Sequence, residues 1–247
     1  MDRSDIVRRA EDLSKRCVKT GTVTASRFLT PAEQVEIADS LRTGCGFRIE
    51  FFGGREHSER KVAFFIPDSF EGDYNPFDAV KIIRLQACYG EPSHRDYLGA
   101  LMGMGVERDC IGDIEISADT AYVFCIQSVL SHLVTVEKVG KYTVRVSETD
   151  ASQMPEFEVK TKASSFTVMS MRLDAVVSGM FGISRTEAVR HIHQGNVFLN
   201  YRCNDRPDAR IAVDDVLSVK GVGKGKVTAV GGVSRKGRLF IRTETFK

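Results

Sequence analysis

The chain has 247 residues, 42% of them hydrophobic and 28% charged, which is typical of a globular protein with one large domain or two to three small ones. No apolar run approaches the roughly 18 residues that span a membrane, and the opening stretch MDRSDIVRRAEDLSKRC is too charged for a secretory signal, so we expect a cytoplasmic protein without a membrane partner. The net charge of +2 divides into −5 over residues 1–168 (21 basic, 26 acidic) and +7 over residues 169–247 (14 basic, 7 acidic). This is the pattern expected when a basic module meets a polyanion, and charge alone is equally compatible with a merely solvated basic surface.

The cysteines predict neither a disulfide framework nor a metal site. No two of them form a C-x-x-C pair, and none lies at zinc-finger spacing from another cysteine or a histidine. In a chain of this length we expect reduced, mostly buried thiols. The six are Cys17, Cys45, Cys88, Cys110, Cys125 and Cys203.

Residues 1–75 are predicted to form an N-terminal α/β domain. A helix is expected over residues 4–19. Another begins at Thr30, whose hydroxyl can cap a helix with proline at its first position, and should run to about Arg42. Two strands rich in phenylalanine follow, over residues 47–52 and 61–66.

The connection between those two strands, GGREHSER, is long for a hairpin and crowded with charge. Glu56, His57, Glu59 and Arg60 have the residue types of a catalytic cluster. No nucleophile or metal pattern accompanies them, so we interpret the connection as a solvated loop.

Residues 76–150 follow the order β-α-β-β-α-β of ferredoxin-like folds, which include RNA-recognition (RRM) domains. The third strand, AYVFCI, does not have the basic-Gly opening of an RNP1 strand, so we expect an RRM-like domain whose sheet stacks few bases. The expected strands are Val80–Gln86, Gly112–Ile116, Ala121–Ile126 and Tyr142–Val146, and the expected helices are Ser93–Met104 and Gln127–Val139.

Residues 151–168, ASQMPEFEVKTKASSFTV, contain a proline and several polar residues and are predicted to be a linker with one possible strand. The third predicted domain covers residues 169–247. The expected fold class is therefore α+β, with three small domains.

Two short helices open the third domain. Apolar residues recur at i, i+3, i+4, i+7 and i+8, which predicts an amphipathic helix ended by Gly182. Ser184 and Glu187 predict a capping box at the start of the next helix, which Gly195 ends. The apolar stripe consists of Leu173, Val176, Val177, Met180 and Phe181.

Arginines and histidines project from the side that these stripes leave free. Arg185 lies in the first turn of the second helix, beside unbonded N–H groups, and its planar guanidinium matches phosphate oxygens. We therefore expect an anion site there, and we expect charge reversal of Arg185 to spare folding. The alternative is a small helical hairpin with ordinary solvated charges.

The stretch RLDAVVSGMFGISRTEAVRHIHQGNVFLN, followed by DDVLSVKGVGKGKV, resembles the S4-type RNA-binding domain. The matching features are R-L-D at the first helix, S-R-x-E-A at the second, then G-x-V-x-x-N and D-x-(L/I)-S-V. The resemblance implies that the helix pair and the nearby loop form the RNA-binding face. The predicted RNA-binding residues are Arg172, Ser184, Arg185, Thr186, Arg190, His193, Asn200, Arg202, Lys220, Lys224 and Lys226.

Outside this domain, the segments FLTPAEQ, GGREHSERKVAFFIP, RDYLGALMGMGVERDCIGDIEI, AYVFC and KVGKYTVRV resemble the bacterial YlmH family. The resemblance implies a non-enzymatic, cytoplasmic RNA-binding factor that acts on the large ribosomal subunit. Its implied partners are ribosomal RNA and tRNA, and its implied role is the rescue of stalled subunits carrying peptidyl-tRNA, in ribosome-associated quality control.

Enzymes with S4-type targeting domains are the alternative class. Arg172-Leu173-Asp174 matches the tripeptide around a pseudouridine synthase nucleophile, but AVVSGMF continues as a helix, so we expect Asp174 to be structural. KGVGKGKV is not a P-loop and is interpreted as a basic turn, for which phosphate contact and simple solvation are equally open hypotheses. We predict no catalytic residue, metal, cofactor or small-molecule substrate. An RNA-modifying enzyme would require a deep pocket with convergent polar groups in residues 1–150.

Overall fold

The computed structural model describes residues 4–41, 45–157 and 161–246, and the chain divides into two compact units, Met1–Phe157 and Glu158–Lys247. The fold class is α+β, as predicted: helices alternate with antiparallel strands that form three sheets within the described ranges. In those ranges, the helices are too short or too polar to cross a bilayer.

The N-terminal part of the first unit is a three-stranded antiparallel sheet with two helices. Ser4 caps the first helix, and Thr30 forms a capping box with Glu33 at the second. One strand was not predicted, because only its last two residues are buried and its pattern is weak. The expected helix end at Arg42 lies outside the described residues. The elements are α1 (Asp5–Thr20), β1 (Thr24–Leu29), α2 (Pro31–Ser40), β2 (Phe47–Phe52) and β3 (Lys61–Pro67), with sheet order β1-β3-β2.

The rest of the first unit has the sheet order of a ferredoxin-like fold, β5-β6-β4-β8, with a short strand β7 added at one edge. The predicted helix Gln127–Val139 was wrong. A 3-10 turn and one helical turn end at Leu133, and Val139 pairs with Tyr142 in a hairpin instead. The elements are β4 (Val80–Ala87), α3 (His94–Gly103), β5 (Ile111–Ser117), β6 (Thr120–Ile126), α4 (Leu130–Leu133), β7 (Lys138–Val139) and β8 (Tyr142–Thr149).

The second unit is a six-stranded antiparallel sheet with two helices that share one hydrophobic core. Buried and more exposed residues alternate along its strands: Leu217, Val219, Val227 and Ile241 are buried, while the residues directly before and after each of them are not. The sheet order is β11-β10-β12-β13-β14-β9. The elements are β9 (Thr161–Val168), α5 (Leu173–Phe181), α6 (Arg185–His193), β10 (Val197–Leu199), β11 (Arg202–Cys203), β12 (Val216–Val219), β13 (Gly223–Val233) and β14 (Leu239–Phe246).

Two domain boundaries differ from the prediction. Eight of the eighteen residues of the predicted linker 151–168 form strand β9, the one possible strand expected there, which pairs with β14 from Thr161 opposite Phe246 to Val168 opposite Leu239. The predicted domains 1–75 and 76–150 form one unit, because a single cluster of buried side chains contains residues of both.

Candidate nucleic-acid interface

The helix pair α5–α6 packs through its apolar stripes, as the sequence predicts. Ala188 and Ile192 of α6 are fully buried, and Gly182 ends α5 in a left-handed conformation at φ +67°. Only half of the predicted capping box forms. The hydroxyl of Ser184 accepts a hydrogen bond from the Glu187 N–H at 3.1 Å, whereas the Glu187 carboxylate accepts one from Arg190 at 3.5 Å.

A buried carboxylate joins two of the predicted RNA-binding arginines. Asp174 is only 3% exposed, and its two oxygens accept from Arg172 Nε at 3.1 Å and Arg185 Nε at 3.0 Å. The N–H of Ala175 donates to the same carboxylate at 2.9 Å. Burial alone would raise the pKa of Asp174, but the hydrogen bonds and charges of the two arginines outweigh it and hold that pKa below its ordinary value.

This carboxylate leaves both guanidinium groups reachable from solvent. The side chain of Arg172 is 43% exposed and that of Arg185 is 59% exposed. Asp174 therefore fixes their direction without covering them, which is how a second layer of side chains preorganises a binding site. The arrangement fits the structural role that the sequence analysis gave to Asp174.

The predicted residues farther along α6 lie on its solvent side. Thr186, Arg190 and His193 are exposed. Arg190 and His193 are three residues apart and therefore neighbours on the helix surface. They present cationic or hydrogen-bonding groups one turn beyond Arg185.

Asn200 is a turn residue in this structure. Its φ of +49° and the φ of +65° at Tyr201 form the two-residue turn between β10 and β11. Its side chain is also engaged: Nδ2 donates to Asp215 at 2.8 Å and Oδ1 accepts from the N–H of Val216 at 2.9 Å. These bonds explain an asparagine here without RNA.

The four remaining predicted residues lie on or near the strands. Lys224 Nζ lies 4.8 Å from the ring centre of Tyr201. Lys226 donates to the Asp214 carboxylate at 2.8 Å, and this hydrogen bond and the charge of Asp214 raise the pKa of Lys226. Arg202 and Lys220 are exposed. The predicted basic turn is short, because strand β13 already begins at Gly223.

Sequence reasoning missed two arginines beside the Asp174 cluster. Arg238 lines a cleft of about 200 Å³ together with Arg185, and Arg210 lines one of about 430 Å³ together with Arg172. Both clefts share Met169, whose side chain is 67% exposed. The only sequence signal was the basic excess of the tail, because 53 residues separate Arg185 from Arg238.

The RRM-like sheet offers no free face for base stacking at its central strands. Tyr122 and Phe124 of β6 are 7% and 0% exposed. A Cβ at Gly54 would lie 2.2 Å from the ring of Phe124, so the N-terminal domain packs directly on this residue. The other buried members of this interface are Phe28, Val62, Phe64, Ile66, Val80 and Ile82.

Comparison with known proteins identifies a family model for the RRM-like part and a relative that matches most of the chain. A family model described as "Putative RNA-binding domain in YlmH" matches residues 78–153. The "Ribosome-associated protein quality control protein P2" of Bacillus subtilis is 30% identical over 223 residues, which cover 89% of this chain and 86% of that protein. The chain belongs to the YlmH family.

A solved structure supports the fold alone. The cell division protein ylmH from Streptococcus pneumoniae aligns with 61% of this chain and 93% of its own, with a TM-score of 0.52 at 17% identity. The family model covers the RRM-like part of this YlmH-family protein, whose central strands are closed by the N-terminal domain.

The charged connection 53–60 of this YlmH-family protein is an anchor within the first unit. Asp113 accepts from the N–H groups of Glu59 and Arg60 at 2.6 and 3.2 Å, and Arg60 donates to the carbonyls of Ile111 and Phe28. Burial raises the pKa of Asp113 against the opposing effect of these bonds. The prediction of a solvated loop was therefore wrong for its C-terminal end, because these groups join the two halves of the unit.

The first unit also contains a cleft of about 880 Å³ between α1, β1 and the RRM-like part. On one side of its rim, Arg27 pairs with Glu107, and Arg27 Nη1 lies 3.0 Å from Asp109. Glu107, Asp109 and Cys110 bring one potential metal-ligand atom each to within 4.8 Å of one another. Burial raises the pKa of the Cys110 thiol, although the charge of Arg27 opposes this effect.

Proposed function

We propose that this protein is a non-enzymatic RNA-binding factor of the bacterial cytoplasm. The observation that carries the proposal is the group of four arginines around two clefts of the second unit, with Asp174 orienting two of them. Arginine forks suit phosphate, and the start of α6 adds N–H groups to the same place. The four are Arg172, Arg185, Arg210 and Arg238.

The RNA that we propose is ribosomal RNA and tRNA on the large ribosomal subunit. The relative from Bacillus subtilis carries ribosome association and quality control in its name. The S4-type resemblance of residues 169–247 and the +7 charge of that segment support the same class of ligand. We infer a role in the rescue of stalled large subunits that carry peptidyl-tRNA.

The cleft of the first unit is the feature that an RNA-modifying enzyme, such as a pseudouridine synthase-like protein, would use. Of its four lining carboxylates, Glu107 and Asp109 are paired with Arg27, Asp12 lies 3.9 Å from Lys15, and Glu33 accepts the N–H of Thr30 in the cap of α2. Asp174, the nucleophile candidate, is bound by two arginines in the other unit. Both observations favour the binding factor.

The test is binding of the full chain to purified bacterial large subunits and to deproteinised ribosomal RNA, between 50 and 200 mM KCl. If four to six phosphates are neutralised, log K should fall with log salt at a slope of roughly −3 to −5. Binding that is absent, or insensitive to salt, would contradict the proposal. A new modified nucleoside in RNA incubated with the protein, detected by mass spectrometry, would favour the enzyme.

A further inference from the structure

The β13–β14 hairpin ends in an ordered basic turn that no predicted site includes. The N–H of Ser234 donates to the Arg238 carbonyl at 2.7 Å, and the N–H of Gly237 donates back to the Ser234 carbonyl at 2.9 Å. Gly237 takes the left-handed conformation at φ +74° that closes such a turn. Arg235 and Lys236 lie at the apex and are exposed.

The hairpin carries positive charge without local compensation. Residues 227–243 contain four basic residues and no acidic one. Several other cations of this unit have acidic partners: Arg190 pairs with Glu187 and Lys226 with Asp214. Within the described part of the chain, Arg235 and Lys236 have no such partner. An uncompensated cationic apex is suited to a polyanion.

An exposed aromatic ring accompanies these charges. Phe240 is 48% exposed and lies on the strand face opposite to Ile241, which is fully buried. Gly231 lies next to Phe240 on the facing strand. Because glycine has no side chain, the space beside Phe240 stays open, whereas a Cβ at Gly231 would lie only 3.3 Å from the Phe240 Cβ. Val233, near the turn, is 64% exposed. Cations together with an exposed ring are the combination that binds single-stranded nucleic acid.

The hairpin adjoins the arginine cluster. Arg238, at the base of the turn, donates to the Thr167 carbonyl at 3.0 Å and lines the same cleft as Arg185. An RNA strand bound at Arg185 can therefore continue along the hairpin without leaving a basic surface.

We infer that the β13–β14 hairpin is a separate RNA-binding element of this protein. Arg235 and Lys236 contact phosphates, and Phe240 stacks on an unpaired base. The inference rests on the proposed function, and it adds a segment of RNA beyond the one that the helix pair contacts.

The experiment compares three full-length charge variants on deproteinised ribosomal RNA and on purified large subunits, and a fourth variant, Phe240→Ser, on single-stranded and duplex RNA. The first is Arg235→Gln/Lys236→Gln. Its matched control is Lys15→Gln/Lys19→Gln, which removes the same charge from the exposed side of α1. The third variant is Arg185→Gln.

We expect the hairpin variant to bind deproteinised RNA about tenfold more weakly, with a salt slope less steep by roughly 1.4–1.8, since two phosphate contacts are lost. The α1 control should bind as wild type does. Phe240→Ser should weaken binding to a single-stranded RNA about fivefold or more and leave duplex binding unchanged.

Three outcomes separate the inference from the proposed function. If wild type binds neither probe, both fail. If Arg185→Gln weakens binding and the hairpin variant binds as wild type does, only the hairpin inference is overturned. If the hairpin variant loses affinity for subunits but not for deproteinised RNA, the hairpin contacts a ribosomal protein and the inference is also overturned.

Discussion

The buried carboxylate of Asp174 lies 2.9 Å from Nη2 of Arg185, across the turn that joins α5 to α6. The pair fixes the direction of an arginine that is still 59% exposed. It also corrects the expectation that charge reversal of Arg185 would spare folding, because Arg185→Glu would place a second carboxylate beside a buried one.

The variant Arg185→Gln tests the helix-pair face more cleanly. Glutamine can still donate to Asp174, so the fold should persist, while the charged fork is lost. We expect affinity for ribosomal RNA to fall about tenfold, since a charge-assisted hydrogen bond contributes roughly 1.5–3 kcal/mol. Fluorescence anisotropy with labelled RNA measures this.

The matched control is Arg206→Gln in the same unit. Arg206 is 73% exposed and pairs loosely with Asp208 at 3.7 Å. The variant Arg206→Gln removes the same charge as Arg185→Gln but lies outside the Asp174 cluster, so it should change the affinity for RNA less than threefold. Equal losses in both variants would mean that only net charge matters and that the Asp174 cluster is not a specific contact.

Asp174→Asn should make the free energy of unfolding of the second unit less dependent on pH. The pKa of Asp174 is lower in the folded chain than in the unfolded one, so its contribution is fully present above the unfolded pKa of about 3.9 and is lost as pH falls through the folded pKa. We expect a contribution of about 1 kcal/mol, because the arginines are partly exposed and solvent screens them.

Thermal unfolding between pH 7 and pH 2.5 measures that effect. The variant should melt about 4–8 °C below wild type at pH 7, and the difference should shrink as pH falls below about 4. Asp208→Asn is the control, since that carboxylate is 55% exposed. A difference that stays constant down to pH 2.5 would show that packing, not charge, links Asp174 to stability.

The helix pair could be predicted from sequence because its signals are local. The stripe from Leu173 to Met180 and the cap at Ser184 depend only on neighbours within a turn or two. The Asp174–Arg185 bond spans 11 residues and a turn, and Arg238 approaches Arg185 only through the pairing of β14 with β9. Such contacts depend on the tertiary fold, which no local pattern contains.

The closed face of the RRM-like sheet did leave a signal. The run Ala121-Tyr122-Val123-Phe124-Cys125 is hydrophobic without alternation, and every one of these residues is buried. A strand covered on both faces is typically continuous in this way. From the sequence, this run served only to exclude an RNP1 motif. The run does not show which part of the protein covers the strand, and in the structure that part is the N-terminal domain.

The second unit should need strand β9 in order to fold, which places its N-terminal boundary before residue 161. The ring of Phe166 packs on α5 so closely that a Cβ at Gly179 would lie 2.2 Å from it. Removing β9 would expose this surface and the whole edge of β14. We expect a fragment of residues 158–247 to unfold cooperatively, and a fragment of residues 169–247 to be unfolded or aggregated, by circular dichroism and thermal melting. Equal stability of the two would show that residues 158–168 are a linker.

Phe124→Leu should destabilise the first unit without changing RNA binding. Phe124 is fully buried between the two halves of the unit, and leucine would leave part of that space empty, at a cost of about 1–3 kcal/mol. Tyr89→Leu is the control, because Tyr89 is 56% exposed and should cost less than 0.5 kcal/mol. Urea titration measures the stabilities, and anisotropy at a temperature where both variants are folded measures RNA affinity.

A buried ring cannot stack on a base. A tenfold loss of RNA affinity in folded Phe124→Leu would therefore mean that the N-terminal domain separates from the sheet when RNA binds.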